Sequence, residues 1–411
     1  ADHLRKVIAL WPHDQVGDDN ELMALHKDLA SSLSNAVRAQ EAAAVLLAIA
    51  PYAPETDSFD MQRRAGGLLV RSGHVDDGMR VLATVLQTFH ISIPRHGWRN
   101  VLSLLWHRFL IRLRGLGFKE RALEAIPPRE VAKVDVFEAI THGMGMADHI
   151  RGAVIQTRWI HATLNLGEPS RILVALCTEA NYVAAAGKGE SPYQKRILGT
   201  VERLLKKFNT PRSLGYVESA HAYHHYMNGE WSESLRRAYS AIDYYDKGRS
   251  LYLEKGMMHA VILWSHYYMG DFVAMTHMAP ELTQDALDRD DLMSAANNML
   301  GLNSTVFLNT EGPEQTLSRA DRIINRWSAS GFHLQHFLHL LTRLHVNFYR
   351  GEAKEAFAYV TDPWRHLKQS LLLTIPAVKN EALYVRGHAL VNMALHTEWR
   401  RSNAYVKSAR R

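Results

Sequence analysis

The chain has 411 residues, 47% hydrophobic and 22% charged, with a formal net charge of +6. That length allows two or three ordinary domains or one elongated repeat array, and the balance is that of a folded chain rather than a disordered one. A single cysteine, Cys177, excludes intramolecular disulfides and cysteine-based zinc sites.

The opening, "ADHLRKVIALWPHDQ", lacks a long apolar core, so no signal peptide is expected there. It begins without Met and in mid-pattern, as expected of a piece of something larger. No apolar run approaches the roughly 20 residues of a membrane span. A cytoplasmic location is expected. "RAQEAAAVLLAIAPYAP" (38–54) reads as the second helix of a pair, stopped by Pro51 and Pro54. "SGHVDDGMRVLATVLQTF" (72–89) opens on a turn at Gly73 and continues as a helix.

"LSLLWHRFLIRLRGLGF" (102–118) reads as a long amphipathic helix, with Leu, Trp and Phe on a buried side and Arg on the other. The surrounding stretch 95–121 has Glu120 as its only acid. It carries a basic patch of Arg108, Arg112, Arg114, Lys119 and Arg121; the tail 399–411 is basic too. Such clusters meet phosphate or acidic surfaces, or simply form a solvated face. "AIPPRE" (125–130) breaks the pattern and starts a new helix, since proline suits a first turn. Cys177, in the apolar run "RILVALCTEANYVAAAG", is expected to be a small buried hydrophobe.

The second half repeats a phrase: "YMNGEW", "YMGDF" and "YRGEAKEAF" each put an aromatic before a glycine and an acid after it. The glycines are Gly229, Gly270 and Gly351, and a fourth copy fits at Gly312, followed by Pro313. The steps are 41 residues from Gly229 to Gly270, 42 to Gly312 and 39 to Gly351. A period near 40 is that of a paired-helix repeat longer than the standard tetratricopeptide unit. Glycine ends a helix in a left-handed conformation at no Cβ cost, and an acid suits the start of the next helix. The phrase is thus the elbow of an antiparallel helix pair, and Gly73 is an earlier example. No alternating β pattern occurs.

Between Arg112 and Gly187 the chain carries Arg112–Arg114–Gly115, Phe118, Pro127–Pro128, Asp135, Asp148, Ile150–Arg151–Gly152 and Gly167–Glu168–Pro169. This stretch resembles the C-terminal helical region of large bacterial proteins that join a Ser/Thr protein kinase domain, a signalling-type ATPase domain and tetratricopeptide-like repeats. The resemblance implies a regulatory helical array attached to, or associated with, a kinase and ATPase. The chain itself has no kinase glycine loop, HRD or DFG motif, and "GKGES" (187–191) lacks Walker A spacing.

No catalytic constellation, cofactor site or metal site is expected. "HAYHHY" and "HFLHLLTRLH" space histidines along helices, but neither has the Glu of a zinc-protease motif. "TQDALDRDDLM" lacks EF-hand spacing and reads as a solvated helix end. The candidate partner-binding groove is Glu218, His221, His224 and Trp264, because first helices of stacked pairs usually line the concave face. The fold expected is all-α, a right-handed superhelical solenoid of antiparallel helix pairs. Its sections are 1–95 (tetratricopeptide-like pairs), 96–210 (irregular) and 211–411 (period near 40). The function expected is a non-catalytic interaction and sensing module for a protein partner or linked kinase/ATPase domains. The alternatives are a small-molecule sensor and, more remotely, nucleic-acid binding through 95–121.

Overall fold

The computed structural model describes residues 1–10, 20–35, 38–89, 91, 97–147, 149–188, 190–247, 252–329, 331–396 and 405–409. Among them are 21 α-helices joined by turns and short 3₁₀ segments, with no strand. Asp148, Arg95 and most of the basic tail lie outside the described residues, as do the side chains of Trp98 and Arg99. Chain contacts divide the protein into two compact units, residues 1–175 with 284–293, and residues 176–283 with 294–411.

The first unit holds α1 (Asp2–Ala9), α2 (Asn20–Asn35), α3 (Ala39–Ile49), α4 (Glu55–Arg71), α5 (Val75–Thr88), α6 (Gly97–Arg114), α7 (Pro128–Ala147) and α8 (His149–Leu166), and the start of α9 (Pro169–Ala185). Helices α2 to α5 pack each on the next, α7 packs on α4, α5 and α8, and α6 lies on α8. Leu46, Ile49, Met61 and Ala65 form part of the core between α3 and α4. At Gly78 on α5 an added Cβ would sit 2.6 Å from the Val70 side chain, so a residue larger than glycine would push the α4–α5 pair apart.

The second unit holds the rest of α9, then α10 (Pro192–Leu205), α11 (Pro211–Met227), α12 (Trp231–Lys247), α13 (Tyr252–Met269), α14 (Phe272–Asp288), α15 (Leu292–Met299), α16 (Ser304–Glu311), α17 (Pro313–Arg326), α18 (Leu334–Arg350), α19 (Ala353–Thr361), α20 (Trp364–Gln369) and α21 (Pro376–Leu395). Helices α14 and α15 each contribute residues to both units. Neighbours pack as α11 on α12, α12 on α13, α17 on α18, α18 on α19 and α19 on α21. Cys177 is 1% exposed, and burial pushes its thiol far above the usual range. It is an inert core group.

The repeated phrase has one backbone geometry. Gly229 has φ +80°; its N–H donates to Tyr226 O (3.1 Å), and the Glu230 N–H donates to His225 O (2.9 Å). That six-to-one bond ends the helix in a Schellman-type turn. The same two bonds recur at Gly270 with Asp271, at Gly351 with Glu352, and at Gly73 with His74. These glycines have φ +73°, +71° and +88°. Side chains reinforce the corners: Asp271 Oδ1 accepts from the Ala274 N–H (3.1 Å), and the Tyr267 and Phe272 rings meet edge-on across the turn at 5.9 Å.

Two expectations are corrected. Gly312 is not a fourth copy of this elbow: its ψ is 170°, an extended value rather than a left-handed helical one. Pro313 follows it, disfavours the helical region for the preceding residue, and has no N–H for the six-to-one bond. The second concerns α6. Leu102, Leu105, Trp106, Phe109 and Leu113 were expected on a buried side, but they are between 51% and 69% exposed. The buried side is a different one, centred on Ile111, 1% exposed, because α6 is apolar on more than one face and α8 covers only one of them.

Candidate functional site

The sequence-chosen groove residues lie in the second unit and are engaged from within. The Arg237 Nη1 on α12 donates to both oxygens of Glu218 on α11, at 3.0 and 3.2 Å, and Arg237 Nε donates to Glu233 at 3.0 Å. Hydrogen bonds from Arg236, then Arg237, hold the Glu233 carboxyl down at about 2. His221 stands beside this cluster, stacked on His225 with ring centroids 6.4 Å apart. Burial, with Arg237 next to it, lowers the His221 pKa against the opposing pull of Glu218 and Glu202, so its imidazole is neutral at pH 7. His224 Nε2 accepts from the Asn228 amide at 3.2 Å and lies 3.6 Å from Glu190. Burial is the first cause lowering its pKa as well.

Trp264 is 8% exposed. Its ring lies 5.9 Å from Tyr226, which in turn is 6.2 Å from Tyr268. Trp231 stacks on Tyr268 at 5.1 Å and 13°. The structure therefore joins Glu218 and His221 to one ion-pair cluster, and places Trp264 in an aromatic core between helix pairs. The Tyr268 hydroxyl donates to Glu381 on α21 at 2.7 Å, and burial raises that carboxyl's pKa. This acid carried no sequence signal, because its partner lies 113 residues away.

Several other histidines also find structural partners. His225 pairs with Glu230 and His266 with Asp271, five residues apart in both elbows. His339 Nε2 donates to Asp321 at 2.7 Å, and His336 Nδ1 accepts the His333 backbone N–H at the start of α18. Among the described residues no three His, Cys, Asp or Glu groups converge as a metal site.

The basic patch divides into tied arginines and exposed cations. Arg114 Nη2 donates to Asn165 Oδ1 at 2.8 Å and its Nη1 to Gly117 O at 2.8 Å. Arg121 donates to Ala125 O at 3.0 Å. The Arg114 bonds, with the Arg121 backbone N–H donating to Gly167 O at 2.9 Å, hold the 115–121 segment against α8 and its end. Arg112 and Lys119 are exposed and pair with no carboxylate among the described residues, and Arg108 is half-buried. At 100° per residue the five exposed apolar side chains of α6 cover about 100° of its surface, with Arg108 and Arg112 along one edge. The Trp106 and Phe109 rings are neighbours within this stripe, 6.0 Å apart.

A cleft of about 650 Å³ opens between α6, α7 and α8. Its polar lining is His107, Lys133, Arg158, His161 and Asn165, with the exposed Glu130; Leu110, Val134 and Phe137 are among its apolar walls. Arg158 Nε donates to His107 Nε2 at 3.1 Å, and the Asn165 amide donates to His161 Nδ1 at 3.3 Å. Burial lowers the pKa of both imidazoles; Arg158 and His161 add to it at His107, and Arg114 at His161. A smaller cavity of about 300 Å³ between α4 and α7 is mostly apolar, and its Asp60 and Asp135 are paired with Arg63 and Arg171. None of the described helices is long and apolar enough to cross a membrane. No protein-family model matches the chain, and no curated protein matches it.

Proposed function

We propose that this chain is a non-catalytic interaction module that docks a protein helix on the outer face of α6. The observation that carries the reading is the exposed stripe of Leu102, Leu105, Trp106, Phe109 and Leu113. Five large apolar side chains aligned along one helix are costly to leave in water, and contiguous patches of this kind mark interaction sites. The occupant is an amphipathic helix with acidic residues on its flank, because Arg108 and Arg112 border the stripe and Lys119 lies beyond its end.

In this reading the protein is built from tetratricopeptide-like pairs as a right-handed superhelical solenoid, and it works in the cytoplasm on an attached or associated Ser/Thr kinase/ATPase signalling protein. The shared elbow geometry at Gly229 and Gly270, 41 residues apart, and again at Gly351, 81 residues further on, supports the first part. The resemblance of residues 112–187 supports the second. A partner helix that favours one arrangement of the array over another would bias the enzyme in proportion to that difference in affinity.

The test is a photo-crosslinking residue at position 106 in the full-length protein in its native cell, with position 112 as a flank control. Crosslinks to an acidic helical segment of a kinase- or ATPase-bearing protein, in the same chain or another, are expected. Crosslinks only to a second copy of this chain, to lipid or to nothing overturn the reading.

A further inference from the structure

We propose that the cleft between α6, α7 and α8 binds a small organic anion, one carrying a phosphate or carboxylate group on a partly apolar body. This goes beyond the docking surface, since Trp106 and Phe109 take no part in the cleft lining.

Three features of the cleft point to that chemistry. Its size, about 650 Å³, is that of a metabolite site. Its polar groups converge from three helices and are mostly donors or cations: Arg158 and His161 from α8, Lys133 from α7 and His107 from α6. Lys133 pairs with no carboxylate among the described residues, and the only acid in the lining, Glu130, is exposed. A planar guanidinium and an ammonium group lining one cleft suit a phosphate or carboxylate, which accepts from both.

The site is also held in shape before any ligand arrives. Arg158 is tied to His107, with its Nη2 3.4 Å from Ser103 Oγ, and Asn165 is held by Arg114. Accepting from Arg158 at Nε2 leaves His107 its proton on Nδ1. Accepting from Asn165 at Nδ1 leaves His161 its proton on Nε2. Each ring is thus a neutral donor. The walls formed by Leu110, Val134 and Phe137 take the uncharged part of the ligand.

The experiment is calorimetric titration of the whole chain with pyrophosphate, AMP, citrate and adenosine, at up to about 10 mM, the range of weak metabolite binding. Binding of pyrophosphate or AMP assigns a phosphate, and binding of citrate alone assigns a carboxylate. Uncharged adenosine is expected not to bind. Lys133→Met and Arg158→Met are each expected to weaken binding at least about tenfold, the effect of losing one charge-assisted contact. Arg112→Met and Trp106→Ser are expected to change nothing, which separates this site from general surface charge and from the docking stripe. Should Arg158→Met fail to fold, Lys133→Met decides. No binding by any of the three anions, binding of adenosine as tight as AMP, or equal weakening by Arg112→Met overturns the proposal.

Discussion

The Arg171 guanidinium at the start of α9 donates to both carboxylate oxygens of Asp135 on α7, at 2.7 and 3.0 Å. Glu168 completes the corner by accepting the backbone N–H groups of Ser170 (3.0 Å) and Arg171 (2.8 Å). Burial alone would raise the Glu168 carboxyl; these bonds and the Arg171 charge keep it below its usual value. Asp135 and Glu168 are among the residues that carry the resemblance, and here they fasten α7 to the α8–α9 turn.

That fork is expected to be worth more than a surface ion pair. Asp135→Asn and Arg171→Leu should each destabilise the first unit by about 2 kcal/mol, the loss of a charge-assisted bond. Their coupling in a double-mutant cycle by urea denaturation should be about 1–3 kcal/mol. Additive effects would show that the two side chains do not act together.

Backbone conformation and available space separate at the glycines. Gly229 has φ +80°, and an added Cβ there meets nothing closer than 3.9 Å, so Gly229→Ala should cost about 1–2 kcal/mol from left-handed strain alone. Gly199 lies inside α10 with open space around it, so Gly199→Ala should stabilise by about 0.5–1 kcal/mol. The midpoints of chemical unfolding check the pair, and equal shifts of one sign would contradict the elbow geometry.

Trp264 should behave as a core residue. Its indole N–H makes no hydrogen bond, so Trp264→Phe is expected to cost only about 1–2 kcal/mol, while Trp264→Ala should cost about 3–5 kcal/mol through the cavity it leaves. A groove residue would give little effect in both substitutions. Thermal unfolding distinguishes the two outcomes.

Burial pushes His336 and His345 down to about 4. An unfolded histidine titrates near 6.5, so between about pH 6.5 and 4 the unfolded chain binds more protons than the folded one. Stability should therefore fall as the pH drops through that window, by up to ~1.4 kcal/mol per pH unit for each group. At neutral pH and above both states hold neutral rings, and the effect vanishes. The double variant His336→Gln, His345→Gln should flatten the urea midpoint between pH 7 and pH 5; a slope as steep as that of the parent would refute the assignment.

Much of the local architecture was legible because its causes are local. An elbow needs a helix end and a glycine, with an acid following at Gly229, Gly270 and Gly351 but not at Gly73, all within one short stretch. The helix start at Pro128 likewise follows from its immediate sequence. The candidate site was less legible. Histidine spacing suggested ligands or groove residues, yet His225 and His266 each pair with the acid of their own elbow. The signal lies in the repeats themselves, where both histidines stand five residues before the acid.

By itself, the sequence determined that the chain is helical, where several pairs turn, and that its lone cysteine is a core group. Only the tertiary structure decided which face of α6 meets solvent, because a helix apolar on two faces obeys whichever neighbour packs on it. It also decided that Gly312 departs from the repeat, that Trp264 is interior, and that His107, Lys133 and Arg158 share one cleft. Those three residues come from three helices, and no local periodicity records which helices become neighbours.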